Sequence, residues 1–142
     1  MKNIVLIGFM GTGKSSVGRI LAKRAKREFV DLDRYLEARE KRKIRDIFEK
    51  EGEAYFRALE KEAVLVWAAG RNKVITTGGG TVVDPENFAA LKENGILVTL
   101  VAANYLKDRA LLARCVDVST LASGVSTWLQ VRPNSALITV HR

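Results

Sequence analysis

The stretch Gly8 to Ser16, GFMGTGKSS, follows the apolar run Asn3 to Ile7, NIVLI. Gly8, Gly13, Lys14 and Ser15 fit the spacing G-x-x-x-x-G-K-[ST]. Each residue type in that spacing has a mechanical reason. The glycines let the backbone curl until successive N–H groups point inward at phosphate oxygens. A helix beginning at the lysine adds its positive N-terminal end. The lysine reaches the β- and γ-phosphates, and the serine hydroxyl binds Mg²⁺. With glycine near 7% of average composition, a chance match in a chain of this size arises roughly once in a few hundred sequences. The expected ligand is therefore a nucleoside triphosphate, with Gly11, Thr12, Gly13, Lys14, Ser15 and Ser16 around its phosphates.

Outward from this loop, strand and helix patterns alternate. The run before it has the continuous apolar character of a strand buried on both faces, as in a parallel sheet. After it, Val17, Ile20 and Leu21 recur at helical spacing. Phe29 to Asp33 (FVDLD) reads as a second strand. Ile44, Ile47 and Phe48 form one helical stripe, broken by Gly52. Phe56, Leu59, Ala63 and Val66 form another, closed by Gly70. KVITTGGG is a third strand running into glycines. DPENFAALKENG is a helix with Asp84 as N-cap, Pro85 at its first position and Gly95 after its end. ILVTLV is a fourth strand. Beyond Ala102 the signals weaken: Leu121, Val125 and Leu129 fit a helix stripe, and Ala136 to Val140 a fifth strand. The predicted class is α/β, a three-layer α/β/α arrangement around a mainly parallel five-stranded sheet. In such sheets ligands bind at the carboxyl ends of strands. The opening loop and the TTGGG stretch both fall there.

The 142 residues suit one domain. Cys115 is the only cysteine, so no internal disulfide forms, and a reducing cytoplasm is the expected location. No apolar run approaches the roughly 20 residues needed to cross a bilayer. The net charge of +8 suits a protein whose substrates are anions. The basic runs Lys23 to Arg27 and Arg39 to Arg45 have acidic neighbours and no interleaved aromatic residues, so they read as solvated helix faces rather than a nucleic-acid platform. His141 reads as a frayed terminal side chain without a chemical role, and Trp67 and Trp128 as core or half-buried helix residues.

Three features indicate what receives the phosphate. Asp31 and Asp33, two apart at a strand end, would face one side, one supporting a metal and the other accepting a proton from a hydroxyl. Arg57 on an amphipathic helix is suited to bidentate capture of a carboxylate. Gly78, Gly79 and Gly80 let a ligand approach the backbone closely. Each alone has an ordinary structural explanation: turn carboxylates, a surface arginine, a flexible loop.

Taken together, GFMGTGKSS, FVDLD, IFEKEGEAYFRALE and TTGGGTVVDPEN resemble shikimate kinase, a family of the nucleoside-monophosphate-kinase branch of the P-loop kinase fold. The resemblance runs from Met1 to about Val101. It implies transfer of the γ-phosphate of ATP to the 3-hydroxyl of shikimate, with Mg²⁺, in aromatic amino-acid biosynthesis, by a monomer without nucleic-acid or membrane partners. It further implies that Lys14 holds phosphate, that Ser15 and Asp31 serve the metal, and that Asp33 binds the substrate hydroxyls and acts as base. Arg57 would grip the shikimate carboxylate, with Gly78, Gly79 and Gly80 along the substrate and Phe48 and Phe56 near its ring.

The pattern weakens in the tail. The family's lid signature Arg-Pro-Leu-Leu has its nearest counterpart in Arg109-Ala110-Leu111-Leu112, and its later Arg-x-Pro-x-Tyr in Arg132-Pro133-Asn134-Ser135. Arg109 is thus the expected catalytic lid arginine and Arg132 a second carboxylate ligand. The family's helix after the fifth strand finds no match before Arg142. After Val101 only Asp108 and Asp117 are acidic. Divergence with a deletion and a shifted reading frame both account for this. The domain is expected to comprise a family-like core at 1–101 and a divergent lid and C-terminal segment at 102–142. The leading reading is a kinase. The alternative is a catalytically impaired nucleotide-binding domain of the same descent.

Overall fold

Pairing in the sheet explains how distant segments of this chain meet. The computed structural model describes residues 1–8 and 14–100, together with the backbone of 101, 126–130 and 137–141. Four strands are parallel neighbours: β1 (Asn3–Ile7), β2 (Glu28–Asp31), β3 (Lys73–Thr76) and β4 (Gly95–Val101). Two more, β5 (Ser126–Gln130) and β6 (Leu137–His141), pair antiparallel with each other, and β6 pairs antiparallel with β4. The order across the sheet is β2-β3-β1-β4-β6-β5.

The expected class holds, but the sheet has six strands where the sequence suggested five. The extra one is β5, which includes Leu129, assigned above to a helix stripe. Its segment STWLQ carries the β-branched and aromatic residues that favour strands; Leu121 and Val125 lie outside the described residues. The backbone of His141 pairs with Leu97 as the last residue of β6, while its side chain lies outside the described residues; Trp128 falls in β5 and not in a helix.

Helix α1 (Lys14–Ala25) covers one face of the sheet; α4 (Glu53–Ala68) and α5 (Pro85–Glu93) cover the other. On the α4 and α5 side, Val5, Ile7, Val30, Ile75 and Leu97 pack with Val64, Ala68 and Leu91 into one cluster. A second, smaller cluster joins Leu36 of α2 (Leu32–Glu40), Ile47 of α3 (Ile44–Glu51), and Phe56 and Ala63 of α4.

Two expected stripes shift. In α1 the buried residues are Gly18 and Ala22, while Val17 and Ile20 are 38% and 56% exposed. The small residues let the helix lie close to the sheet: a Cβ on Gly18 would come within 2.6 Å of Phe29 Cε2 and 2.8 Å of Thr76 Cγ2. In α4, Phe56 and Ala63 are buried as expected, but Val66 is exposed and Val64 takes its place. At 100° per residue, positions 56, 60, 63 and 64 share a face that 66 does not.

Candidate active site

The carboxyl ends of β1, β2 and β3 adjoin one another, and the residues singled out in the sequence gather there. Leu6 pairs with Thr76, and Asp31 pairs with Thr76 from the other side. Gly8, just past β1, has φ +141, and a Cβ there would lie 2.3 Å from the Leu100 carbonyl oxygen. Glycine is thus required by both conformation and close approach. The Lys14 ammonium folds back to donate to the Gly8 carbonyl. Gly11, Thr12 and Gly13 lie outside the described residues, and Ser16 is exposed at the start of α1.

Asp31 and Asp33 come together differently from the two-apart strand geometry expected. β2 ends at Asp31, and Asp33 belongs to the first turn of α2. Asp31 is the N-cap of that helix: its Oδ1 accepts from Asp33 N at 3.1 Å and Arg34 N at 3.2 Å. Aspartate is among the strongest N-caps, so the helix starts at once and the strand is cut short. The other Asp31 oxygen, Oδ2, accepts from the Ser15 hydroxyl at 2.7 Å. One carboxylate therefore ties the start of α2 to the start of α1.

Asp33 is the most perturbed acid of this group. Burial, then the charges of Asp31 and Glu60, push its carboxyl up to about 6, and Lys14 opposes them. Burial holds the Lys14 ammonium below its ordinary value, with Asp33 and Asp31 pulling the other way. Titratable groups perturbed in this way cluster at functional sites.

Arg57 sits on α4, half-buried, with its guanidinium 5.4 Å from the Phe56 ring centroid. Its Nη1 donates to Glu60 Oε1 at 2.9 Å, and its Nε lies 3.5 Å from Glu53 Oε1. Burial lowers its affinity for the proton, but Glu60 and Glu53 more than offset this. Phe48 and Phe56 stack beside it with centroids 4.7 Å apart.

The glycine loop touches both charged groups. A Cβ on Gly78 would sit 2.9 Å from Asp33 Oδ1, and one on Gly80 would sit 2.6 Å from Arg57 Nη2. Gly79 between them is exposed. Asp33 and Arg57 thus both lie against the loop, and the Asp33 carboxylate is near enough to Lys14 for their charges to interact.

Sequence reasoning missed two buried residues behind the glycine loop, Glu60 and Thr81. Glu60 is only 2% exposed, and its second oxygen accepts from the Thr81 hydroxyl at 2.9 Å. The signal was there to read. Position 60 falls on the apolar stripe with Phe56 and Ala63, and a carboxylate on such a stripe needs partners. Arg109 and Arg132, the expected lid arginine and second carboxylate ligand, lie outside the described residues, as does Cys115.

A family model for shikimate kinase matches residues 10–110, from within the glycine-rich loop to just past Arg109. The chain belongs to the shikimate kinase family. A curated shikimate kinase from Pelotomaculum thermopropionicum is 53% identical over 102 residues, covering 72% of this chain and 59% of the relative. One from Persephonella marina is 48% identical over 100 residues, covering 70% and 61%. The chain thus matches about three fifths of the length of these shikimate kinases. Among solved structures, shikimate kinase from Aquifex aeolicus superposes with a TM-score of 0.72 at 34% identity, over 84% of this chain and 79% of that one. The Acinetobacter baumannii shikimate kinase, solved in complex with shikimate, gives 0.70 at 32% identity, over 85% and 75%.

Proposed function

We propose that this chain transfers the γ-phosphate of ATP to the 3-hydroxyl of shikimate. The observation that carries the reading is the convergence at the glycine loop: Gly78 against Asp33 and Gly80 against Arg57, a carboxylate and a guanidinium brought to one loop. A small ring bearing both a hydroxyl and a carboxylate matches that pair.

Each residue then has a task. The loop from Gly8 to Ser16, with Gly11, Thr12, Gly13 and Ser16, cradles the phosphates, and Lys14 pairs with their β- and γ-oxygens. Arg57 binds the substrate carboxylate bidentately. Gly79, with its neighbours, lets the ring lie on the backbone. Asp33 accepts the proton of the attacking hydroxyl. With its carboxyl near 6, it is largely ionised at neutral pH and basic enough to take that proton. Catalysis of this kind rests on positioning and charge stabilisation more than on covalent chemistry.

The donor set fits Mg²⁺. Ser15 Oγ and Asp31 Oδ2 are hard oxygens 2.7 Å apart, and no cluster of three or more acidic, histidine or cysteine ligands exists among the described residues. Mg²⁺ prefers few protein oxygens plus substrate phosphates and water. When bound, the ion neutralises charge on the phosphate oxygens. Arg109 closing over the transferred phosphate and Arg132 on the carboxylate complete the reading, within one domain whose core is 1–101 and whose lid and C-terminal segment is 102–142. The protein is expected to act as a cytoplasmic monomer, without nucleic acid or membrane; no described helix is long and apolar enough to span one.

ADP release by the purified chain, with Mg-ATP and with or without shikimate, tests the reading. Shikimate-dependent release supports the kinase. ATP binding without that release favours the impaired nucleotide-binding domain instead.

A further inference from the structure

The buried contact between Thr81 and Glu60 lies behind the substrate surface and has no part in the chemistry above. Thr81 opens the short 3-10 turn Thr81–Val83, directly after the glycine loop, and is fully buried. Its hydroxyl donates to Glu60 Oε2 at 2.9 Å. The opposite oxygen of that carboxylate, Oε1, accepts from Arg57 Nη1 at 2.9 Å. The Thr81 carbonyl accepts from Asn87 Nδ2 at 3.0 Å, and Asn87 is itself 2% exposed. The Thr81 amide donates to the Gly78 carbonyl at 3.4 Å, and its Oγ1 lies 3.3 Å from where a Gly78 Cβ would stand. One residue thus holds the glycine loop, the inner carboxylate and the start of α5 at once.

We infer that Thr81, anchored by Asn87, is a positioning residue that fixes Arg57 through Glu60 and so sets the affinity for the substrate carboxylate. This rests on the functional reading above, because the readout in activity is the shikimate KM. The physical argument is one of rotamers. Arg57 is half-exposed on a long side chain, and its partner Glu53 is exposed and separated by 3.5 Å, so that contact restrains it little. Glu60 restrains it better only if Glu60 is itself held. A carboxylate that accepts from two sides keeps one orientation, and a hydrogen bond to a charged group is among the stronger ones. With the Thr81 hydroxyl gone, the Glu60 carboxylate can rotate and Arg57 samples other rotamers. Binding then carries the cost of ordering it.

The test compares Thr81→Val, which removes the hydroxyl and keeps the shape, with Thr81→Ser, which keeps the hydroxyl. In the ADP-release assay, Thr81→Val is expected to raise the shikimate KM by about three- to tenfold, the size of the ordering cost of one long side chain. The ATP KM should stay within about twofold, since the phosphate loop is untouched. Thr81→Ser should behave as the parent chain. An unchanged shikimate KM in Thr81→Val overturns the proposal, as does an equal rise for both substrates, or a serine variant as impaired as the valine one. A second readout does not need activity. In protein labelled with ¹⁵N-arginine, the Arg57 guanidinium should give resolved, slowly averaging signals in the parent and Thr81→Ser, and averaged ones in Thr81→Val. If the parent chain shows no shikimate-dependent turnover, the functional reading fails, and this spectrum alone decides the positioning claim: identical Arg57 signals in all three overturn it. If Thr81→Val does not fold, Thr81→Ala removes the same hydroxyl without a methyl against Glu60 and is judged by the same criteria. Failure of both to fold, with Thr81→Ser folded, would make the hydroxyl a requirement of the fold and overturn the positioning role.

Discussion

Gly80→Ala is the substitution whose effect can be worked furthest from the structure. Gly80 has φ −104 and ψ −1, a conformation open to alanine, so the backbone is not strained by the change. Restricting the unfolded chain would by itself stabilise the protein by about 0.4–1 kcal/mol. The new methyl, however, would stand 2.6 Å from Arg57 Nη2, 2.9 Å from Nη1 and 3.1 Å from Cζ. Ordinary carbon contact begins near ~3.5 Å, so the guanidinium must retreat by about 1 Å. It is the far end of a flexible side chain and can move, at the expense of the 2.9 Å contact to Glu60. Gain and loss are of similar size, and the net change in stability should stay within about 1 kcal/mol. The functional effect should be much larger. A misplacement of about 1 Å in a positioning group can reduce turnover on the order of 10²-fold. Here it should fall on kcat/KM for shikimate, with ATP affinity unchanged. Steady-state kinetics with each substrate varied in turn, beside a thermal melt, measure both quantities. A variant with parental shikimate kinetics would show that Arg57 does not contact the substrate from this position. Unfolding of the variant would show that the loop cannot yield as argued.

Three further outcomes are expected. Arg57→Ala should raise the shikimate KM by at least tenfold while leaving ATP binding, measured by titration, nearly intact; equal losses would make Arg57 structural. Asp33→Asn should lower kcat by at least 10²-fold with the fold preserved. It should also reverse a pH-dependent instability. The folded-state carboxyl near 6, against 3.8 in the unfolded chain, means that the native state binds more protons between those values. Asp33 therefore favours folding least once it is ionised, and its contribution falls as pH rises from about 4 to 6, by up to about 3 kcal/mol. In denaturant titrations, Asp33→Asn should match the parent near pH 4 and exceed it above pH 6; no difference at pH 7 would argue against the buried, repelled carboxylate. Gly18→Ala should destabilise by about 1–3 kcal/mol despite the better helix former, because the methyl meets Phe29 and Thr76 rather than open space; a raised melting temperature would refute the close packing of α1.

Local chemistry made much of this legible. The Asp84–Pro85 start of α5 could be read directly, and Asp84 does accept from Glu86 N at 2.8 Å. The strands at Asn3 and Lys73 were visible because strands buried on both faces are apolar throughout. Asp31 and Asp33 were rightly grouped, but only Asp31 belongs to the strand, while Asp33 lies in the first turn of α2. A capping aspartate and a strand-end aspartate have the same sequence, and only the hydrogen bonds to Asp33 N and Arg34 N separate them. The α1 stripe was misjudged because the sheet selects Gly18 and Ala22 for their lack of bulk, which a count of large apolar residues overlooks. Glu60 and Thr81 were missed because their meaning is tertiary: each is ordinary until the other is seen beside it. In the segment of weakest signals, after Ala102, Ser126–Gln130 is a strand that includes Leu129, expected on a helix stripe. A short apolar run such as Trp128–Leu129 fits either period.

The parallel register has a consequence for how this protein can be assayed. Asp31, Thr76 and Leu6 stand level across three adjacent strands, and each is followed at once by a segment that supplies part of the site. A slip of one residue in either pairing would turn the emerging segment toward the opposite layer. A fragment that lacks one of these strands is expected to lose the part of the site which that strand positions. Ligand occupancy is therefore linked to sheet formation, and a nucleotide that binds only the folded form must raise the unfolding midpoint in proportion to RT ln(1 + [L]/Kd). A melt with and without nucleotide then reports strand alignment in solution, before any turnover is measured.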